Sequence, residues 1–294
     1  MHNLLSVLFL LIVLGLLSRT VQARLRASLH RRPAAVWLAP AGLTLLFAAV
    51  LLASGGWSST FLLLVTAYTF LPTALVYMGG AGGCKTARWT DFAAILLLWL
   101  PIEFAAGRDL LPQAAWGAAN VTARGTAVTL ALALFLLFRD LKGMKYNLPR
   151  KWTDLAYPAI GFAVVAPILI ALGLWLGYMG PYRPSPFGPG GFALLWLKIV
   201  LGIAIPEELL FRALIQNWLM QRFGFTHRML FFAALIFGAS HLDNPPGPLP
   251  NWRYMILATI AGFAFGKVFW KSSTILSSAS LHALVNSVRH AFFL

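Results

Sequence analysis

Charge of either sign is scarce in this chain. Only 11% of its 294 residues are charged, and just eight are acidic. A soluble domain carries about 25% charged residues, so composition argues against a soluble globule. Cysteine is nearly absent. Cys84 is the only one, which excludes an intrachain disulfide and any cysteine-based metal cluster. There is no internal repeat, no low-complexity tail and no polar stretch long enough for a separate soluble domain. The longest polar connections are Arg19–Pro33, Arg139–Asp154 and Pro181–Gly191. The glycine run Gly79–Lys85 lacks the spacing of a phosphate-binding loop and reads as a turn.

What the chain has instead is hydrophobic surface, 60% of its residues. The apolar residues fall in blocks bounded by charge, Pro and Gly. A bilayer span needs about 20 mostly apolar residues, with ~17 at the short end. Ten blocks qualify as candidate spans: Asn3–Ser18, Ala34–Ser54, Trp57–Gly79, Phe92–Gly107, Gly125–Phe138, Leu155–Gly180, Phe192–Pro206, Met229–His241, Tyr254–Trp270 and Ser272–Leu294. Several are short, so the expected architecture is an all-α, polytopic transmembrane bundle of about eight to ten spans. The second and third spans are expected to form a tight hairpin. The first apolar run has no basic residues before it, whereas Arg19, Arg24, Arg26, Arg31 and Arg32 follow it. That order favours a retained span with its C-terminal end inside over a cleaved signal peptide.

A formal charge of +15 suggests nucleic acid at first sight. Its distribution argues otherwise. With the N-terminus outside and ten alternating spans, 16 of the 23 Lys and Arg residues fall inside, five outside, and Lys198 and Arg212 within spans. The excess is an orientation signal facing anionic headgroups, and no nucleic-acid partner is expected. The bilayer is the expected environment. Cys84 should lie inside, in one loop with Lys85 and Arg88.

An ionisable side chain inside a bilayer is costly and usually functional. Asp91, Glu103, Asp109, Asp140, Asp154 and Asp243 lie toward span ends; Glu103 with Arg108, and Asp140 with Arg139, read as interfacial. Glu207 and Glu208 do not. They sit in an apolar stretch, after a Pro206 that suggests a local helix start. Arg212 is four residues beyond Glu208, on the same face, and can pair with it. His241 closes a second apolar run, one helical turn after Phe237. His282 and Asn286 are four apart in a third and face the same way. Each alone has a bland reading: a surface Glu–Arg pair, an interfacial histidine, a hydrogen-bonding pair in a bundle. Counted from the inside charges Arg222, Arg228 and Lys271 at 1.5 Å per residue, Glu207, His241, His282 and Asn286 all reach depths of roughly 16–23 Å. Three helices bringing polar groups to one level describe a polar pocket within the bilayer.

At these residues the sequence resembles the CAAX-processing and bacteriocin-processing (CPBP, or Abi) intramembrane proteases, a family that includes the type II CAAX prenyl endopeptidases. Its motifs E-E-x-x-x-R, F-x-x-x-H and H-x-x-x-N occur here in order as Glu207, Glu208 and Arg212, then Phe237 and His241, then His282 and Asn286. The resemblance covers about residues 195–291, so residues 1–190 are expected to be transmembrane helices without a motif and 191–294 the catalytic core. It implies an endopeptidase cleaving a membrane-anchored protein or peptide, in a prokaryotic inner membrane. Glu207 would be the general base, with His241 orienting the water. His282 and Asn286 would hold the oxyanion, and Glu208, Arg212 and Phe237 would support the site. Peptide hydrolysis needs these parts: a base for water, donors for the oxyanion and a proton for the leaving amine. Glu207, His241 and His282 could instead hold zinc with a water in an open position, so a glutamate-type and a metal-dependent enzyme both stay open. H-E-x-x-H and G-x-S-x-G are absent, as are the G-x-S-G and G-x-G-D patterns of other intramembrane proteases. Two other classes remain: a proton-coupled transporter using Glu and His as a relay, and a catalytically silent scaffold or immunity partner. The oligomeric state is not legible.

Overall fold

The structure, a computed structural model, describes residues 2–82, 87–245 and 248–293. The expectation for Cys84 and Lys85 lies outside them. The secondary structure of the described residues is all helical, with no strand. The chain is an integral membrane protein whose helices divide into two compact units, Met1–Lys142 and Gly143–Leu294. The motif-bearing residues 191–294 are the C-terminal part of the second unit.

Among the described residues, four helical stretches are both long and apolar enough to cross a membrane: Pro33–Ala53, Ser59–Met78, Gln113–Phe138 and Thr153–Trp175. A fifth is the pair Asn3–Gly15 and Arg19–Arg31, if its 90° bend counts as one broken span. The sequence reading of eight to ten spans also took in short helices and helices bearing polar groups. Several of these are too short to pass, as α11, His227–Ala239, is apolar but only 13 residues long.

The N-terminal unit contains α1 (His2–Gly15), α2 (Arg19–Arg31), α3 (Leu38–Ala53), α4 (Ser59–Met78), α5 (Trp89–Glu103) and α6 (Gln113–Ala131). Helices α3 and α4 form the expected hairpin across the short turn after Ala53. Phe47, Leu51, Phe61, Val65, Leu111 and Ala119 make a buried core. An apolar cavity of about 170 Å³ lined by Phe61, Val65, Tyr68, Pro72 and Pro101 lies in this unit, and no motif residue lines it. Arg139 corrects an expectation. It is not half of an interfacial pair with Asp140. It donates from Nε and Nη2 to the two oxygens of Asp91 at 2.9 and 2.7 Å, with both residues buried. Asp140 pairs with Arg26 at 3.1 Å instead. A planar guanidinium matches a carboxylate in two parallel bonds, so a buried Arg selects the acid that can meet it squarely.

The C-terminal unit begins with α7 (Thr153–Trp175) and continues into one long helical rod from Pro189 to Phe223. The rod is α8 (Pro189–Ile199), a π-helical stretch Val200–Ala204, α9 (Ile205–Glu208), a second π-helical stretch Leu209–Gln216, and α10 (Asn217–Phe223). The helix therefore does not start afresh at Pro206. Proline has no N–H to give and its ring crowds the carbonyl four residues back. The chain absorbs this by widening its turns, with the Ile205 N–H bonding to the Val200 carbonyl five residues away. Such π-bulges are frequent at functional sites. Here two of them bracket Glu207 and Glu208.

Helices α11 (His227–Ala239) and α12 (Trp252–Lys271) pack antiparallel and very close. A Cβ at Gly238 would stand 1.9 Å from Thr259 Oγ1 and 2.7 Å from the Met255 carbonyl. At the other end, a Cβ at Gly266 would meet Gln216 Oε1 at 2.4 Å and Leu230 at 2.5 Å. Lipid offers helices no hydrophobic drive to associate, so close backbone approach through small residues supplies the attraction. Helix α13 (Ile275–Phe292) follows a tight turn that a polar knot fixes. Lys145 Nζ donates to the carbonyls of Phe269, Trp270 and Ser272 at 2.8–2.9 Å, closing the end of α12. Asp154 accepts from Ser273 N at 2.7 Å and from Arg150 N and Lys151 N. Thr274 Oγ1 donates to the Asn147 carbonyl, and Ile275 N to the Lys145 carbonyl at 2.9 Å. The Arg139–Asp154 connection, a polar loop by sequence, thus pins the first residue of α13, two turns before His282.

Candidate active site

Glu208 is fully buried and both its oxygens are engaged. Oε2 accepts from Arg212 Nε at 3.1 Å, and Oε1 lies 3.1 Å from His282 Nδ1. The sequence pairing of Glu208 with Arg212 holds, one turn apart, with Glu208 closing α9 and Arg212 in the second π-helical stretch. Arg212 is itself fully buried, its guanidinium 4.7 Å from the Phe237 ring centre and 5.9 Å from that of Phe265. Its two Nη atoms have no hydrogen-bond partner. The buried cation is thus held on one side by a carboxylate and on another by aromatic faces.

Glu207 differs from its neighbour. Its side chain is 35% exposed, yet Oε2 is buried and makes no hydrogen bond. That oxygen lies 3.7 Å from His282 Nε2, beyond a direct hydrogen bond. Adjacent residues on a helix point about 100° apart, so one glutamate turns into the protein and the other toward an opening. Of the pair, Glu207 alone has an oxygen free to take a proton.

His282 is buried on α13, held flat against Phe265 with ring centres 4.7 Å apart and planes 16° apart. With Nδ1 facing Glu208 and Nε2 facing Glu207, its ring orientation is fixed by two carboxylates and one stack. His241 sits just beyond the end of α11. Its Nδ1 lies 2.7 Å from the Phe237 carbonyl, one of the acceptors a helix C-terminus leaves unbonded. Donation there leaves Nε2 as the nitrogen without a proton. Phe237 is the spacer between the two histidines. Its ring centre is 4.7 Å from His241 and 5.9 Å from His282.

The structure therefore gathers Glu207, Glu208, Arg212, Phe237, His241 and His282 into one cluster from three separate stretches of chain. Asn286 stands one turn along α13 from His282, half-buried, and makes no hydrogen bond to the described residues. Lys198 is exposed on α8 and takes no part. Sequence reasoning missed Phe265 and Tyr254. Phe265 carries His282. Tyr254 meets the His241 ring edge-on, centres 4.6 Å apart. Nothing marks Phe265 among 22 phenylalanines, because stacking partners are set by how helices pack and not by spacing.

For the zinc set expected from Glu207, His241 and His282, no three His, Cys, Asp or Glu side chains are grouped to hold one ion among the described residues.

No curated protein and no solved structure matches the chain. Residues 189–288, from the first turn of α8 to the last turns of α13, match the Rce1-like family model, described as type II CAAX prenyl endopeptidase Rce1-like, a family of proteases, and this is the segment that carries the cluster just described.

Proposed function

We propose that the chain is an intramembrane endopeptidase that hydrolyses a peptide bond of a membrane-anchored protein or peptide. The observation that carries this reading is the division of labour between adjacent glutamates. Glu208 is locked between Arg212 and His282, and Glu207 keeps a free oxygen beside His282 Nε2. In this reading Glu207 takes a proton from a water as the water attacks the scissile carbonyl carbon. His241, its Nε2 free, orients that water. The carbonyl oxygen becomes an oxyanion, met by His282 Nε2–H and the unengaged Asn286 amide. The carbon–nitrogen bond then breaks, and Glu207 returns the proton to the leaving amine. Glu208 and Arg212 hold His282 in place and perform no proton transfer. A prokaryotic inner membrane is the setting this reading favours.

The test is turnover by purified, membrane-reconstituted protein on a substrate found by comparing membrane and released proteins with and without this chain. Glu207→Gln and His241→Ala are each expected to abolish cleavage with the fold intact. Undiminished turnover in Glu207→Gln would sink the assignment.

A further inference from the structure

Between α4, α5 and α6 the N-terminal unit leaves an apolar cavity of about 170 Å³. Two prolines help to create it. Pro72 lies inside α4 and Pro101 inside α5, and both line the cavity. A proline ring within a helix crowds the carbonyl four residues back and bends the rod, so two such helices do not close on each other. Ala67, Ala106 and Ala123 also line the gap. Their methyl groups reach too little of it to fill it.

The walls offer water nothing. Among the described lining residues only Tyr68 has a polar side-chain group, and its hydroxyl donates to the Leu98 carbonyl at 3.0 Å. A water needs several polar partners to enter a cavity, so walls of this kind stay dry. An unfilled gap costs its lining the dispersion contacts on that side. Apolar cavities of about 150 Å³ take up benzene, so this one has room for about six carbons. It also opens sideways. Leu64 and Leu71, two helical turns apart on α4, line it and are 38% and 53% exposed. Helix α4 is long and apolar enough to cross a membrane, so the face bearing these leucines meets hydrocarbon. From Phe61 to Pro72 the lining follows α4 for about 16 Å. That is the direction in which the chains of the surrounding lipid run.

We propose that this cavity is a lipid site that seats one acyl chain of a bilayer phospholipid, entering from the side past Leu64 and Leu71. The end of the chain fills the gap that Pro72, Pro101 and the alanines leave, and restores the contacts its walls lack. The acyl chains of the bilayer already stand at the mouth. No residue of the Glu207 cluster lines the cavity, so the lipid site does not depend on the protease reading.

The test is photolabelling of the full-length protein in digitonin micelles, whose rigid steroid body offers no flexible chain. The probe is a phosphatidylcholine with a diazirine near the end of one acyl chain, and labelled residues are read by mass spectrometry after digestion. Labelling of Leu97, Ile102 and the lining residues of α4 should saturate as the probe is titrated, at one chain per protein. Labelling of Val164 and Ile168, exposed on α7, should keep rising in proportion, as loose surface contact does. Unlabelled phosphatidylcholine should displace the cavity label at a lower concentration than farnesol, a branched isoprenoid chain. Ala67→Leu and Ala123→Leu fill the cavity from two helices and should bring its labelling down to the α7 level, with α7 itself unchanged. Cavity labelling that never saturates would reduce the site to ordinary lipid contact and overturn the proposal. Farnesol displacing the label at the lower concentration would make the cavity an isoprenoid seat and overturn it too. Unchanged cavity labelling in a filled variant that melts with the wild type would do the same. Should both variants fail to fold, the saturation and competition results on the wild type decide.

Discussion

Removing Arg212 while leaving Glu208 in place should be the most damaging single change in the C-terminal unit. In Arg212→Met, Glu208 Oε2 loses its 3.1 Å partner inside a fully buried site. Breaking a buried pair on one side costs about 3–5 kcal/mol, mostly as an uncompensated charge. For a chain of this size that is a fall of roughly 6–15 °C in unfolding temperature. Taking both charges away is a different perturbation. Glu208→Gln/Arg212→Met leaves no buried ion, and replacing a pair by neutral groups is often close to neutral. The two unpartnered Nη atoms of Arg212 point the same way, since the native pair already carries unmet desolvation. The double variant should thus recover most of the lost stability and little of the activity. His282 would face an amide instead of a carboxylate, giving up a charge-assisted bond worth about 1.5–3 kcal/mol, or roughly 10- to 150-fold in rate. Thermal unfolding in detergent, read with peptide cleavage, checks both halves. Arg212→Met melting with the wild type would refute the burial argument. A double variant with full activity would refute the role of Glu208 as the anchor of His282. Arg222→Ala, on the exposed face of α10, is the control and should change neither.

Two further outcomes follow from packing and from the polar knot. Gly238→Ala should destabilise by about 1–3 kcal/mol through overpacking against Thr259. Gly42→Ala, where nothing lies within 4 Å, should instead stabilise by about 0.5–1 kcal/mol; equal melting shifts in the two would contradict the close α11–α12 approach. Asp154→Ala should cut activity despite its distance along the chain from the motifs, because it frees the turn that sets α13 and His282, with a loss of about 2–4 kcal/mol from several orphaned donors; unchanged kcat would argue against this. Burial lowers the Lys145 pKa to about 8. The folded state then releases this proton before the unfolded state does, so this lysine's contribution to stability rises with pH from about 8 to the ordinary lysine value. Comparing wild type with Lys145→Met across that window reads the effect, and parallel pH profiles would rule it out.

Sequence alone determined the class. Scarce charge in long apolar blocks is enough to specify helices in a bilayer, because no other open structure satisfies its backbone there. The motif residues were legible because ionisable groups in such blocks stand out against a background that excludes them. Helical spacing alone gave the Glu208–Arg212 pair, since neighbours at i and i+4 meet in any helix. Tertiary structure decided what spacing cannot encode. It chose Asp91 over Asp140 as the partner of Arg139, separated an engaged Glu208 from a free Glu207, and turned Pro206 from a helix start into π-helical turns. It also brought in Phe265 and Tyr254, which carry no sequence signal at all. The physical reason is range. Periodicity reports contacts within one helix, whereas which aromatic face meets which histidine depends on how closely glycine-lined helices approach and on loop residues such as Lys145 and Asp154 fixing where the next helix begins.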